Sequence, residues 1–434
     1  MLKGFLLLVL AVVQTVYGQD APPNIVMIIS DDHAWTDYSF MGHPHIKTPN
    51  LDKLASQSLV FRRGYVTSSL CCPSLASLLT GMYPHQHRIT SNDPPLDKDS
   101  VPGRPKKDDP KFAAGRETMN RYMDAVEGLP RLLGARGYVS LQTGKWWQGN
   151  FRRGGFTEGM TGGDPKEGGR HGDDGLEIGR KTMQPIFDFT SAAKKAGKPF
   201  FIWYAPMMPH LPHNPPERLL AKYKDKTPSL HVAQYWAMVE WFDETCGQLL
   251  EHLNKEGLTK NTVVVFLADN GWIQSPDQPR YAPRSKQSQY DGGLRTPIMV
   301  RWPGKVKPRE SGALACSIDI APTLLRLADI EPPKDMSGLH LLDETAMAGR
   351  DTIFGECFTH DAVDLDLPAK NLRWRWCIQR NLKLIVPGPN EPDATVELYD
   401  LSSDEKEEKN LAKERSDDVT RLRVRLDGWW KGGP

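Results

Sequence analysis

Hydrophobic residues along the chain gather in short, nearly unbroken runs with helical stretches between them. Asn24 to Ser30 (Asn-Ile-Val-Met-Ile-Ile-Ser) is the first such run after the N-terminus, and its continuity predicts a strand buried on both faces of a parallel sheet. Thr48 to Ala55 follows as a helix capped by Thr48, with Pro49 at its first position. Leu129 to Arg136 reads as a helix ended by Gly137, and Tyr138 to Thr143 as the next strand. Pro199 to Ala205, Thr262 to Ala268 and Pro297 to Trp302 are further strands, and Asp319 to Asp329 reads as a helix. Alternation of this kind predicts an α/β fold: a large domain whose central sheet is mainly parallel and flanked by helices.

Beyond Asp329 the texture changes to short strand-like pieces at Thr352 to Cys357, Trp374 to Arg380, Leu382 to Val386 and Val396 to Leu401. An amphipathic stretch, Asp417 to Trp430, closes the chain. We therefore expect a large domain over residues 19–335 and a smaller C-terminal subdomain, 336–434, with an antiparallel sheet and one helix. Ser91 to Arg116 and Gly154 to Gly175 read as long loops, candidates for walls that face a substrate. The N-terminus itself has Lys3, the apolar run Phe5 to Val13 and the small-residue site Val16-Tyr17-Gly18. That order predicts a signal peptide, Met1 to Gly18, and an exported protein, secreted or periplasmic; the run is too short for a membrane span.

Composition narrows the function classes. The 55 Lys+Arg against 54 Asp+Glu leave a net charge of +1, so no broad field draws in nucleic acid or an anionic membrane. Six cysteines, at 71, 72, 246, 316, 357 and 377, are irregularly spaced, fit neither a disulfide framework nor a zinc motif, and leave room for one or two disulfides.

The chemistry gathers at strand ends. Asp31-Asp32 follows the first strand directly, and Asp269-Asn270-Gly271 follows the strand ending at Ala268; in open α/β sheets ligands bind beyond the carboxyl ends of the strands. Three carboxylates and one amide oxygen suit Ca²⁺ or Mg²⁺ better than zinc, although either pair alone also fits a turn or a cap. In Cys71-Cys72-Pro73-Ser74, Pro73 is predicted to open a helix, with Cys71 just before an N-terminus that favours anions. The same residues also fit two inert buried cysteines.

Asn24-Ile25-Val26 through Asp31-Asp32, Thr48-Pro49-Asn50-Leu51-Asp52 and Cys71-x-Pro73-Ser74 through Leu79-Thr80-Gly81 resemble the formylglycine-dependent type I sulfatases of the alkaline phosphatase superfamily. Gly144-Lys145-Trp146, Pro209-His210, Asp269-Asn270-Gly271, Lys286 through Arg295-x-Pro297, Arg301-Trp302-Pro303-Gly304, Asp319 through Thr323 and Glu397 through Leu401 extend the resemblance in family order. It implies that Cys71 is oxidised to formylglycine by a formylglycine-generating enzyme and then attacks the sulfur of a sulfate ester. It also implies a Ca²⁺, rather than Mg²⁺, on Asp31, Asp32, Asp269 and Asn270, with Lys145, His210 and Lys286 gripping the sulfate and assisting the leaving oxygen. A sulfated saccharide is the expected substrate, since Trp35, Trp146, Trp147 and Trp272 lie in or beside these motifs and offer faces to a sugar ring.

Two positions depart from the family pattern. Cys-x-Pro-Ser-Arg has Leu75 in its fifth position, and Gly-Lys-Trp-His has Trp147 in its fourth. The Arg belongs to the sequence that the converting enzyme reads. The His takes a proton from the formylglycine hydrate, which an indole N–H cannot do. His33, His85, His87 and His171 are candidates to replace it, and Trp147 is expected on the pocket wall beside Lys145. Two other readings share the scaffold: a degenerate sulfatase-like binder of sulfated glycans, and a phosphate or phosphonate ester hydrolase.

Overall fold

The computed structural model describes residues 21–95, 109–163 and 170–433; the predicted signal peptide lies outside them, as do parts of both long loops. Among the described residues the large sheet is built from β1 (Asn24–Ser30), β2 (Leu59–Tyr65), β3 (Val139–Gly144), β4 (Glu158–Gly159), β5 (Phe200–Ala205), β6 (Thr262–Ala268), β7 (Arg295–Arg301), β8 (Arg309–Ser311) and β9 (Ala315–Cys316). Their spatial order is β4-β3-β5-β1-β6-β7-β2-β8, with β9 beside β2. From β4 to β6 every pairing is parallel; β7 runs antiparallel to both β6 and β2. The sheet is mainly parallel, as expected.

Helices cover both faces, which explains the continuous apolar runs. The main ones are α1 (Pro49–Ser56), α2 (Cys71–Thr80), α3 (Pro110–Asp124), α4 (Leu129–Gly134), α5 (Gln184–Lys195), α6 (Leu230–Lys255), α7 (Ile320–Leu327) and α8 (Ser416–Trp429). Successive residues of a strand point to opposite faces. Ile25, Met27, Ile29, Val263, Val265 and Leu267 therefore join a core with Leu78 and Leu79 of α2, Leu133 of α4 and Leu324 of α7. Val26, Ile28, Val264 and Phe266 join the opposite core, with Leu51 of α1, Phe189 of α5 and Phe242 and Leu249 of α6.

A second, four-stranded antiparallel sheet runs β10 (Thr352–Phe358), β11 (Leu372–Gln379), β12 (Leu382–Pro387) and β13 (Glu397–Asp400). Trp376, Ile378 and Ile385 face the core shared with α2. The other face, Cys377, Leu384, Val386 and Leu398, is covered by Leu422 and Leu426 of α8.

Three local expectations are corrected. Helix α2 begins at Cys71 itself, with Leu70 as its N-cap, so Pro73 is its third residue and Cys71 lies inside the first turn. Thr48 does not cap α1 through its hydroxyl; that hydroxyl donates to Asp52 Oδ1 at 3.0 Å. All six cysteines are free and buried, so the room left for disulfides is not used; Cys71, Cys72, Cys316 and Cys357 belong to the core beside α2, Cys246 to the α6 layer and Cys377 to the layer under α8.

Candidate active site

The register of β1 against β6 runs from Asn24 opposite Thr262 to Ser30 opposite Ala268, so Asp31 and Asp269 emerge side by side at the carboxyl edge. Backbone bonds lock this edge. Asp269 N donates to Ser30 O at 2.9 Å, His33 N to Asn270 O at 3.1 Å, Asp31 N to Met208 O at 2.9 Å and Lys145 N to Ala205 O at 2.7 Å. Asp32 adopts a left-handed φ of 62°, a strained conformation for a non-glycine residue of the kind that clusters at functional sites. Gly144 ends β3 with φ +76°, and a Cβ there would lie 1.8 Å from Ala205 O. Only glycine lets β3 turn this tightly against β5 and present Lys145.

Helix α2 supplies the thiol. Ser74 Oγ donates to Asp269 O at 2.5 Å, tying the first turn of α2 to the end of β6, and Gln287 N donates to Ser69 O at 3.0 Å, bringing in the loop that carries Lys286. Cys71 Sγ consequently lies 3.2 Å from Lys286 Nζ, 4.0 Å from Lys145 Nζ and 3.8 Å from Asp31 Oδ1. Lys145 pairs with Asp31 Oδ2 at 3.0 Å and Lys286 with Asp32 Oδ1 at 2.5 Å. His210 Nδ1–H donates to Leu211 O at 2.7 Å, which turns Nε2 toward Asp32 Oδ2 at 3.4 Å.

Burial sets the electrostatics. It pushes the Cys71 thiol well above the usual cysteine value, against the pull of Lys145 and Lys286, so the unmodified side chain is a neutral thiol. Burial also pushes Asp269 well up, helped by Asp31 and Asp32. Burial alone would raise Asp32 as well, but Lys286, His210 and Lys145 bring it below the usual aspartate value. For Lys286, burial is overcome by Asp32, with Asp31 adding to it, and the ammonium is held well above its ordinary value.

Asp269 Oδ1 accepts from Asp32 N at 3.1 Å and Asn270 N at 2.7 Å. By contrast, Asp269 Oδ2 and Asn270 Oδ1 are buried and accept no hydrogen bond, and the buried Asp31 Oδ2 and Asp32 Oδ2 have only their ion pairs with Lys145 and His210. Buried acceptors are normally satisfied, and two donor-free oxygens beside two more carboxylate oxygens at the same strand ends fit a hard divalent cation. Ligand atoms of Asp31, Asp32, Cys71 and His210, a set that does not include Asp269, all lie within 4.8 Å of one another.

The two departures have clear positions. Leu75 is buried in the core shared by α2 and the sheet. Trp147 is also buried and lies beside Lys145, whose Nζ is 5.4 Å from its ring centroid; Arg170 Cζ is 4.9 Å and Arg116 Cζ 5.7 Å from the same centroid. Of the four candidate histidines, three are engaged elsewhere. His33 stacks on Tyr38 at 4.0 Å, His85 pairs with Glu356, and His87 bonds Ser77 Oγ at 3.1 Å. His171 stands edge-on to Trp147 at 5.4 Å. The aromatic platform expected for a sugar is largely absent, because Trp146, Trp147 and Trp272 are buried and Trp35 carries Arg295 on its face, Cζ 3.7 Å from the centroid. The sequence reading passed over Arg170 and its partner Asp93; the run Gly168-Gly169-Arg170-His171 inside a long loop was the available signal.

Fold and site together define an α/β protein with a buried thiol, two ammonium groups and a carboxylate cluster converging at the strand ends of a doubly covered sheet. The sulfatase family model matches residues 23–330, and the model for the C-terminal region of N-sulphoglucosamine sulphohydrolase matches 284–427. The chain belongs to the sulfatase family, within the alkaline phosphatase superfamily. It is 30% identical to human N-acetylgalactosamine-6-sulfatase over 378 residues, covering 77% of this chain and 67% of that protein. It is 27% identical over 373 residues to the ulvan-active sulfatase of Formosa agariphila, covering 75% and 66%. The chain thus spans about two thirds of the length of the curated relatives it matches. In fold it is similar to the crystal structure of Ps i-CgsB in complex with k-i-k-neocarrahexaose, with TM-score 0.74, 20% identity, and 95% of this chain and 94% of that chain covered.

Proposed function

We propose that this protein is a sulfuric ester hydrolase that removes sulfate from a sulfated carbohydrate, with Cys71 as the precursor of a formylglycine nucleophile. The observation that carries the reading is the meeting of Cys71 with Lys145 and Lys286 beside the buried oxygens of Asp31, Asp32, Asp269 and Asn270, of which Asp269 Oδ2 and Asn270 Oδ1 lack any donor. Asp31, Asp32, Asp269 and Asn270 would hold the cation, Ca²⁺ in preference to Mg²⁺, which when bound polarises the sulfate oxygens. A formylglycine at position 71 supplies a hydroxyl that attacks sulfur and a second hydroxyl whose loss of a proton expels the sulfate.

The remaining work falls to the chain's own side chains. Lys145 and Lys286, both buried, bind the sulfate and balance the charge that builds on its oxygens. In its doubly protonated form His210, its ring fixed by Leu211 O and its Nε2–H facing Asp32 Oδ2, gives the Nε2 proton to the leaving alcohol oxygen. The enclosed site keeps these charges out of water, where they act more strongly. The N-terminal segment 1–18 fits export, so the converting enzyme would act before or during secretion or transfer to the periplasm. Among the described residues no helix is long and apolar enough to cross a membrane. In our reading residues 19–335 carry the catalytic machinery and 336–434 form a subdomain packed on it.

Leu75 and Trp147 favour one second reading, a binder of sulfated glycans without turnover. A phosphate or phosphonate ester hydrolase is the weaker alternative, because the site motifs lack the extra His and Asp ligands of a two-metal centre. Sulfate release from a panel of sulfated mono- and oligosaccharides, with phosphate and phosphonate esters alongside, separates the three. Release of sulfate alone upholds the proposal; saturable binding without release points to the binder, and preferential phosphate or phosphonate hydrolysis to the third reading.

A further inference from the structure

We propose that Arg170, clamped by Asp93 against Trp147, supplies the sulfate pocket with the guanidinium that α2 lacks at Leu75. The inference rests on the reading above that Cys71 and Lys145 line that pocket.

In an α-helix a side chain leans toward the N-terminus and covers the residue four positions earlier. A long cationic side chain at position 75 would therefore lie over Cys71 and the first turn of α2. Leu75 instead turns into the apolar core, and the charge arrives from outside the helix.

The two arginines beside the Trp147 ring are bonded differently. Arg116 spends its guanidinium on backbone carbonyls: Asn92 O at 2.7 Å, Arg170 O at 3.3 Å and Trp147 O. It is a structural tie that fixes the segment carrying Arg170, together with Trp146 N donating to His171 O at 3.2 Å. Arg170 gives Nε and Nη2 to the Asp93 carboxylate, at 2.7 and 2.5 Å, and that carboxylate is fully buried. Its Nη1 makes no hydrogen bond among the described residues, and its side chain is 35% exposed, so an anion can reach it. A guanidinium oriented by a buried carboxylate and keeping donors free is suited to an oxyanion. Arg170 shares the Trp147 ring with Lys145, and Lys145 Nζ is the group 4.0 Å from Cys71 Sγ. Asp93 is then a positioning residue, acting through Arg170.

The test uses the full-length protein and four measurements on wild type, Arg170→Ala, Arg170→Gln and Asp93→Asn. These are thermal unfolding, the mass of the peptide spanning residues 67–80, calorimetric binding of inorganic sulfate, and sulfate release. We expect Arg170→Ala to carry the same Cys71 modification as wild type, to bind sulfate at least about 10-fold more weakly, and to lose about 10²-fold in kcat/KM. Asp93→Asn should fall between the two in sulfate affinity. If Arg170→Ala binds and turns over within two-fold of wild type, the inference is overturned and the sulfatase reading stands. If wild type releases no sulfate from any ester but binds sulfate at least 10-fold more tightly than Arg170→Ala, the inference stands and the hydrolase reading falls. Should Arg170→Ala fail to fold, Arg170→Gln decides: weakened sulfate binding upholds the inference and unchanged binding overturns it.

Discussion

Asp269→Asn tests the cation site with little disturbance of shape. Asp269 Oδ1 accepts two backbone N–H groups, which the amide oxygen of Asn can keep, while the donor-free Oδ2 becomes an NH₂ that cannot ligate a metal. Ca²⁺ at about 100 times its dissociation constant adds about 2.7 kcal/mol to wild-type stability. With an unfolding entropy of about 2.1 cal/mol/K per residue, the 434-residue chain should show a rise in Tm of about 3 °C. A site about 100-fold weaker, at the same Ca²⁺ concentration, adds only about 0.4 kcal/mol, a shift below about 1 °C. The assay is thermal unfolding of wild type and variant after chelation and again with added Ca²⁺. The expected result is equal Tm without metal and a metal-induced rise in wild type only. An equal rise in both proteins would remove Asp269 from the cation site and refute the reasoning.

Two further substitutions probe the frame around the site. Gly144→Ala places a Cβ against Ala205 O at a left-handed φ, and should cost at least about 2 kcal/mol in urea unfolding; a wild-type midpoint would contradict the close approach. His87 is buried, and burial, then the neighbouring His85, lowers its pKa to about 3. The unfolded chain thus takes up a proton near pH 6.5 that the folded one refuses. Its stabilising effect is complete above that pH and drains away as pH falls toward 3, by about 2 kcal/mol between pH 6.5 and 5. His87→Gln should flatten this acid limb when stability is measured across that range, and an unaltered limb would show that His87 is not the group responsible.

Much of the sheet could be read in the chain because burial on both faces writes a strand as an apolar run. Thr262–Ala268 matches its predicted bounds, and Asn24–Ser30 likewise. Leu59–Tyr65 escaped because Arg62 and Arg63 interrupt it where the pairing with β7 shifts register, a bulge that periodicity does not anticipate. Strands β4 and β9 are only two residues long and leave no pattern. At the site, Asp31, Asp32, Cys71, Lys145, His210, Asp269, Asn270 and Lys286 sit in local motifs and were legible from them. Asp93 and Arg170 were not, because their pairing spans 77 positions and joins two segments that no local motif connects. The tryptophans misled for a related reason: residues beside a site can be there to wall it, and Trp146 and Trp147 join the core.

The most direct test of the account is the chemical state of residue 71 in protein expressed in its native host, read by mass spectrometry of the peptide spanning residues 67–80 and paired with sulfate release by wild type and Cys71→Ala. The account predicts an aldehyde or its hydrate at position 71, an unmodified thiol at Cys72, sulfate release by wild type and none by Cys71→Ala. An unmodified Cys71 thiol together with no sulfate release, or undiminished ester hydrolysis by Cys71→Ala, would contradict it.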